Sequence, residues 1–358
     1  MTRSRAAVGA VVAWLLCWPA LGKGVEPPAH PATKSAVLDP GKAKASKATR
    51  PTPLSSKKGD GSEEAGAPAA GKQRKDEFVR LAHDKLKVPI ALESAIVRHV
   101  PRDCGKTSPT VDLIAALHIG DKRYYDQLNR EFATYDVVLY ELVAPKGTRL
   151  PKGGVKSSHP VSMIQVGMTR ALDLAFQLDA IDYTRPNLVH ADMSPEQLAE
   201  AMQQRGESVW TILLRMFTYA MAQEDSSTVS DAGLLAALFN KNRALALKRI
   251  VAEQFRDMEG SIMAIEGPKG SSLISDRNRV AIEGLREAIG EGHQKIAIFF
   301  GAGHMSDLQR RLKERFDLVP IETRWLVAWD LKPTQADPPA KPAAKPAGTG
   351  KTTVRPEE

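Results

Sequence analysis

Two stretches of this chain carry a buried run of apolar residues up to a histidine. Val111 to Leu117 reads VDLIAAL and meets His118. Lys295 to Phe300 reads KIAIFF and passes through Gly301-Ala302-Gly303 to His304. Runs of this kind show little apolar/polar alternation, so they belong to strands covered on both faces, as in the parallel part of an α/β sheet. Each is followed by helical spacing and then another strand: DKRYYDQLNREFATY and DVVLYELV after the first, SDLQRRLKERF and the strands within LVPIETRWLVAWDL after the second. The order strand, histidine, helix, strand therefore occurs twice. Glu141 ends the second strand of the first unit, and Glu322 sits within that of the second. Open α/β sheets bind ligands outside the carboxyl ends of their strands. The repeat thus predicts that His118 and His304 meet at one sheet edge, although they are far apart in the chain.

The remaining sequence predicts how that sheet is framed. PIALESAIVRHV reads as a further strand, and Asp121 is placed to cap the helix after His118. From about 160 to 260 nearly everything reads as helix: PVSMIQVGMTRALDLAFQL, SPEQLAEAMQQRG, SVWTILLRMFTYAMAQ and SDAGLLAALFNKNRALALKRIVAEQFRDM. Ser194 before Pro195 and Glu196 is a helix start. SVWTILLRMFTYAMAQ is apolar on most sides, which fits a buried helix, or else a lid or dimer surface. The helix SDRNRVAIEGLREAIGEG leads back to the second unit. The expected fold is α/β, with a central mixed sheet built from the N- and C-terminal halves and a helical insertion between them.

The termini read differently. Arg3 and Arg5, the apolar run Ala6 to Leu16 and the small residues Ala20-Leu21-Gly22 form a secretory signal over 1–22. A lipoprotein with Cys17 as the modified residue, or an uncleaved anchor, is the alternative. Residues 23–75 and 332–358 are rich in Pro, Ala and Lys and nearly lack aromatics; such segments bury too little to offset their chain entropy. They are expected to be disordered, leaving a folded domain over 76–331 in an exported, periplasmic or secreted protein. The formal net charge of +8 belongs to these ends: residues 23–75 hold eleven Lys/Arg against five Asp/Glu, and the folded span is slightly acidic. A basic nucleic-acid groove is therefore not expected, although the tails could associate loosely with an anionic envelope. The cysteines are Cys17 and Cys104, so no disulfide framework is expected after the signal is removed.

A carboxylate such as Glu141 at the end of a buried strand is costly unless it is protonated, bound to a metal or paired, for instance with Arg277. A lone histidine after a strand is usually a satisfied polar residue. Two at matched places, with a carboxylate, form the donor set of a catalytic metal with an open position. HExxH is absent, so this is not an ordinary zincin. His190, in NLVHADMSPEQ, reads as a polar residue before a helix, and His99, His159 and His293 are given no role.

These residues resemble the TraB/PrgY/GumN family, which includes the Tiki proteases and is marked by two GxxH motifs with a glutamate after the first. The second motif is Gly301-Ala302-Gly303-His304. The first reads Ala115-Ala116-Leu117-His118, with alanine in place of its glycine. Glu141 in LYELV matches the glutamate, and Arg277-Asn278 matches an Arg-Asn pair before the second motif. The resemblance spans roughly 110–325. It implies a Tiki/TraB/ChaN-like fold and a metal-dependent hydrolase with peptidase members, using a divalent cation held by His118, Glu141 and His304. Arg277 would stabilise an oxyanion or orient the substrate, Asn278 would position substrate or a ligand, and Glu141 or another carboxylate would act as general base. The family also has noncatalytic members, so an envelope protein binding a peptide or haem is the alternative.

Overall fold

The structure, a computed structural model, describes residues 77–103, 109–151 except Arg149, 172–208, 236–254 except Leu238, and 270–333, with scattered positions between 210 and 218 and at 262, 266 and 267. The expected signal, the tether, Cys104, His159 and nearly all of the C-terminal tail lie outside these residues, as does much of the expected insertion.

Seven strands form one mixed sheet. The hairpin β1 (Val79–His83) and β2 (Pro89–Pro101) leads to β3 (Thr110–Ala116). After a two-residue strand, β4 (Ile119–Gly120), come α1 (Lys122–Phe132) and β5 (Val137–Tyr140). The middle of the chain supplies β6 (Ala175–Phe176), α2 (Gln177–Ala180), β7 (Leu188–His190), α3 (Pro195–Gln204) and α4 (Arg243–Gln254). A π-helical turn, Ser272–Asp276, opens α5 (Arg277–Gly290). Then follow β8 (Lys295–Gly301), a 3₁₀ turn (Ala302–His304), α6 (Met305–Phe316) and β9 (Leu318–Asp330).

β8, from the C-terminal half, lies between β3 and β5 from the N-terminal half, and β7 flanks β5; all four run parallel. β2 is antiparallel to its neighbours: β9 follows one edge along its length, while β1 and β3 share the other end to end. The sheet is thus built from both halves, as the sequence predicts. In β3 and β8 every residue after the first is buried, so both faces are covered. The helices supply the cover with their apolar stripes: Tyr124, Tyr125, Leu128 and Phe132 from α1, Ala281, Ile282, Leu285 and Ala288 from α5, and Met305, Leu308 and Leu312 from α6. Phe132 meets Phe299 edge to face, with centroids 4.8 Å apart. Such a pair contributes about 0.5–1.5 kcal/mol beyond area burial.

Three local expectations change. The 160–260 span is not wholly helical, because Leu188–His190 joins the main sheet and Ala175–Phe176 pairs with β4. Both strands are too short to show a period of two. Asp121 begins α1 without a side-chain cap: its carboxylate accepts instead from Lys248 Nζ at 2.6 Å and Asp330 N at 2.5 Å. In SVWTILLRMFTYAMAQ, Ile212 is buried, whereas Trp210 and Leu214 are 80% and 61% exposed, so the described part is not a fully buried helix. Ser194 does cap α3, in a reciprocal capping box with Gln197. Among the described residues no helix is long and apolar enough to cross a membrane.

Candidate functional site

The carboxyl ends of the four parallel strands converge on one cluster. In the register of β3 and β8, Ala116 lies opposite Gly301, so His118 stands two residues and His304 three residues past a shared level. Glu141 follows β5 directly, and Asp192 lies two residues beyond β7. Arg277 and Asn278 open α5 on the same buried face as its apolar stripe. The two repeat units diverge after their helices: β5 returns beside β8, whereas β9 crosses to β2. Glu322 is accordingly remote from the cluster and pairs with Arg98.

Arg277 is the hub. Its guanidinium is fully buried, and all five N–H donors have acceptors. Nε and Nη2 grip Asp192 side-on at 2.9 and 2.5 Å. Nη2 also donates to Glu141 Oε1 at 2.7 Å, while Nη1 donates to His304 Nε2 at 3.3 Å and to the Leu273 carbonyl at 3.4 Å. Glu141 Oε2 accepts from Gly301 N at 2.5 Å. Burial pushes the Glu141 carboxyl up, but the Arg277 guanidinium on one oxygen, with the Gly301 N–H on the other, overcomes this and holds it well below the usual carboxylate range.

Asn278 fixes the tautomer of His304. Its Nδ2 donates to the His304 carbonyl at 3.1 Å and to Asp307 Oδ2 at 2.8 Å, so its Oδ1 is what faces His304 Nδ1, at 2.7 Å. Nδ1 therefore carries the proton and Nε2 keeps its lone pair, which also suits the donor Arg277 Nη1. His304 Nε2 lies 3.5 Å from Glu141 Oε1. His118 is arranged alike: Nδ1 meets Gln177 Oε1 at 3.1 Å, and Gln177 Nε2 reaches the Tyr183 hydroxyl at 2.9 Å. Its Nε2 is left turned towards Gly301. Desolvation lowers the His118 pKa, which keeps the ring neutral despite Glu141 nearby. His118 is also less buried than Glu141, His304 or Arg277, so the cluster meets solvent on its side.

The glycines of GAGH serve different ends. Gly301 has φ −50°, which any residue can adopt. What it gives is space: a Cβ there would lie 3.1 Å from Glu141 Oε2 and 3.4 Å from His118 Nε2. One at Gly303 would instead meet Ile262 at 3.4 Å.

The structure therefore brings together His118, Glu141, Arg277, Asn278 and His304. Arg277 spends every donor inside the protein, and Asn278 stands behind His304, orienting that ring. Asp192 and Gln177 are additional members. Both lie in the stretch that reads as helix, and the signal for Asp192 was available: a carboxylate just past an apolar Leu-Val pair, the same context as Glu141. His190, two residues earlier, is occupied in bonding the Leu142 carbonyl across β5 and β7. Among the described residues no three His, Cys, Asp or Glu side chains stand as an assembled metal-ligand set. The donors nonetheless suit a cation: His118 presents an Nε2 lone pair, that of His304 takes only the 3.3 Å contact from Arg277 Nη1, and two carboxylates face one guanidinium, leaving an excess negative charge. No family model, curated protein or solved structure matches the chain.

Proposed function

We propose that this protein is an exported metal-dependent hydrolase, a peptidase of the TraB/PrgY/GumN kind on a Tiki/TraB/ChaN-like fold. His118, Glu141 and His304 would hold the divalent cation. The observation that carries this reading is the shared orientation of the histidines. Each commits Nδ1 to a side-chain amide, the outer-shell arrangement that metal-binding imidazoles need, and while His304 Nε2 lies 3.5 Å from Glu141 Oε1, His118 Nε2 is turned towards Gly301, whose N–H Glu141 Oε2 accepts. When bound, such a cation supplies Lewis acidity towards a carbonyl and towards water. The chain's own part is to hold His304 Nε2 and His118 Nε2 unprotonated, to keep Glu141 ionised, and to admit a peptide from the side of His118. Export rests on residues 1–22, and a mature N-terminus near Lys23 is expected.

A noncatalytic envelope protein that binds a peptide or haem is the second reading. What favours it is that both Glu141 oxygens already have donors, Arg277 and Gly301 N. Each carboxylate oxygen has a further lone pair, so this does not close the site to a cation. Metal analysis and a peptide-cleavage assay decide. One ion per chain, with affinity falling more than about a hundredfold in His304→Ala and in His118→Ala and cleavage lost with it, is expected; outer-shell losses are about 10–100-fold. Ion binding and cleavage that survive His304→Ala would remove the metal reading.

A further inference from the structure

We propose that Asp192 is a positioning residue whose charge neutralises Arg277 and so leaves Glu141 available to a cation. This rests on the cation site proposed above. Glu141 is the one carboxylate in the cluster that lies beside both histidines, yet it is also in direct contact with Arg277. A guanidinium paired with Glu141 alone would neutralise it and repel any cation brought to the same oxygens. Asp192 changes that balance. It takes Arg277 by two parallel contacts, Nε to Oδ1 at 2.9 Å and Nη2 to Oδ2 at 2.5 Å, the geometry in which an arginine–carboxylate pair is strongest. Oδ1 is itself held by Met193 N at 2.7 Å, and the Asp192 side chain has no exposed surface. The carboxylate cannot turn away, so it fixes the plane of the guanidinium. That plane in turn decides that a single Nη2 hydrogen reaches Glu141 and that Nη1 meets the Nε2 lone pair of His304. With the positive charge of Arg277 matched by Asp192, the charge of Glu141 is the excess in the cluster.

A charge balance and a mere packing role for Asp192 differ in what they do to metal affinity. Cobalt(II) titration of the purified protein, followed by visible absorption, is the measurement. Asp192→Asn keeps size and shape and is expected to weaken cobalt binding about 10–100-fold. Removing the unmatched charge as well, in Asp192→Asn/Arg277→Gln, is expected to restore affinity to within about threefold of the starting protein, because interacting residues are not additive. If Asp192→Asn alone does not fold, the double variant is compared with the starting protein, whose net charge it shares, and should bind cobalt within about threefold of it. Unchanged binding in Asp192→Asn overturns the inference while leaving the cation site in place. So does a double variant as weak as Asp192→Asn, or more than about tenfold weaker than the starting protein, well outside the range for restored balance. A starting protein that binds no cobalt overturns the functional reading, and the inference with it.

Discussion

Among the described residues this sheet buries carboxylates in two places, and they are built to opposite ends. Near the amino end of β3, Asp112 accepts from Arg98 Nε and Nη2, both at 3.1 Å, and from the Tyr135 hydroxyl at 2.6 Å. Arg98 extends to solvent and meets Glu322 at 3.2 Å. Beside it His99 is fully buried, with Nδ1 donating to the Val97 carbonyl at 3.0 Å and Nε2 against Gln309 at 3.3 Å. Within that buried group one carboxylate meets one guanidinium and both imidazole nitrogens are used. At the carboxyl end two carboxylates meet one guanidinium, and His118 keeps a nitrogen turned to the cluster. Burial of charge is common to both. What separates them is balance: the first cluster is satisfied as it stands, while the second retains negative charge and the His118 nitrogen lone pair that a ligand can use.

The sharpest way to break this comparison is to remove each arginine. Arg277→Met would strand two buried carboxylates and is expected to cost about 3–5 kcal/mol, the usual penalty for breaking a buried ion pair. Arg98 is 31% exposed at its side chain. Water can reach part of its place, and Arg98→Met is expected to cost about 1–3 kcal/mol, the range for stranding a buried acceptor. Urea denaturation of both variants measures the difference, and equal losses would mean that the two clusters are equivalent after all.

Acid provides a second test. Glu141 has a folded pKa well below its ordinary value of 4.5, so the folded state binds its proton less readily than the unfolded chain does. Its stabilisation is fully present above pH 4.5 and is lost as pH falls through the folded value. Urea midpoints measured downward from neutral pH should therefore show part of their acid slope below 4.5 disappear in Glu141→Gln. A slope unchanged by that substitution would show that the cluster does not hold Glu141 ionised.

How far the sequence disclosed this arrangement depends on segment length. β3 and β8 are long enough for burial on both faces to show, and the histidines at their ends follow from that. Arg277 is legible as an ion-pair partner for the buried Glu141, whereas Asn278 comes only from a family resemblance; periodicity alone would leave both as a polar start to α5. Asp192 has only the faint signal of a carboxylate after Leu188-Val189, because β7 has three residues, and so short a strand is defined by pairing with β5 rather than by any period of its own. Gln177 was hidden for a related reason: it lies in a run of helical composition that breaks into β6 and a single helical turn. The first hairpin strand, β1, went unread because its register depends on β2.

The smallest effects come from comparing the two motif glycine positions, Gly301 and the alanine that stands in the first motif, Ala115. Gly301 borders the cluster, and a methyl there would press on Glu141 Oε2 at 3.1 Å while standing 3.4 Å from His118 Nε2. Gly301→Ala is expected to weaken cobalt binding about tenfold, within the range for disturbing a supporting contact. Ala115 is in a different position. It lies inside β3 opposite Phe300, one step before the level of Gly301, fully buried, with its carbonyl accepting from the Tyr124 hydroxyl at 3.1 Å. Its methyl fills core and is separated from His118 by two residues. Introducing the glycine of the resembled family's motif with Ala115→Gly should therefore gain nothing at the site. The expected result is a loss of about 0.5–1 kcal/mol of stability, the ordinary cost of glycine inside a strand. Cobalt affinity should stay within about twofold, as for an independent position. If the Ala115→Gly protein instead bound cobalt about tenfold more tightly, well outside that range, the alanine methyl would have been obstructing the site, and Ala115 would not be the independent core position that its burial describes.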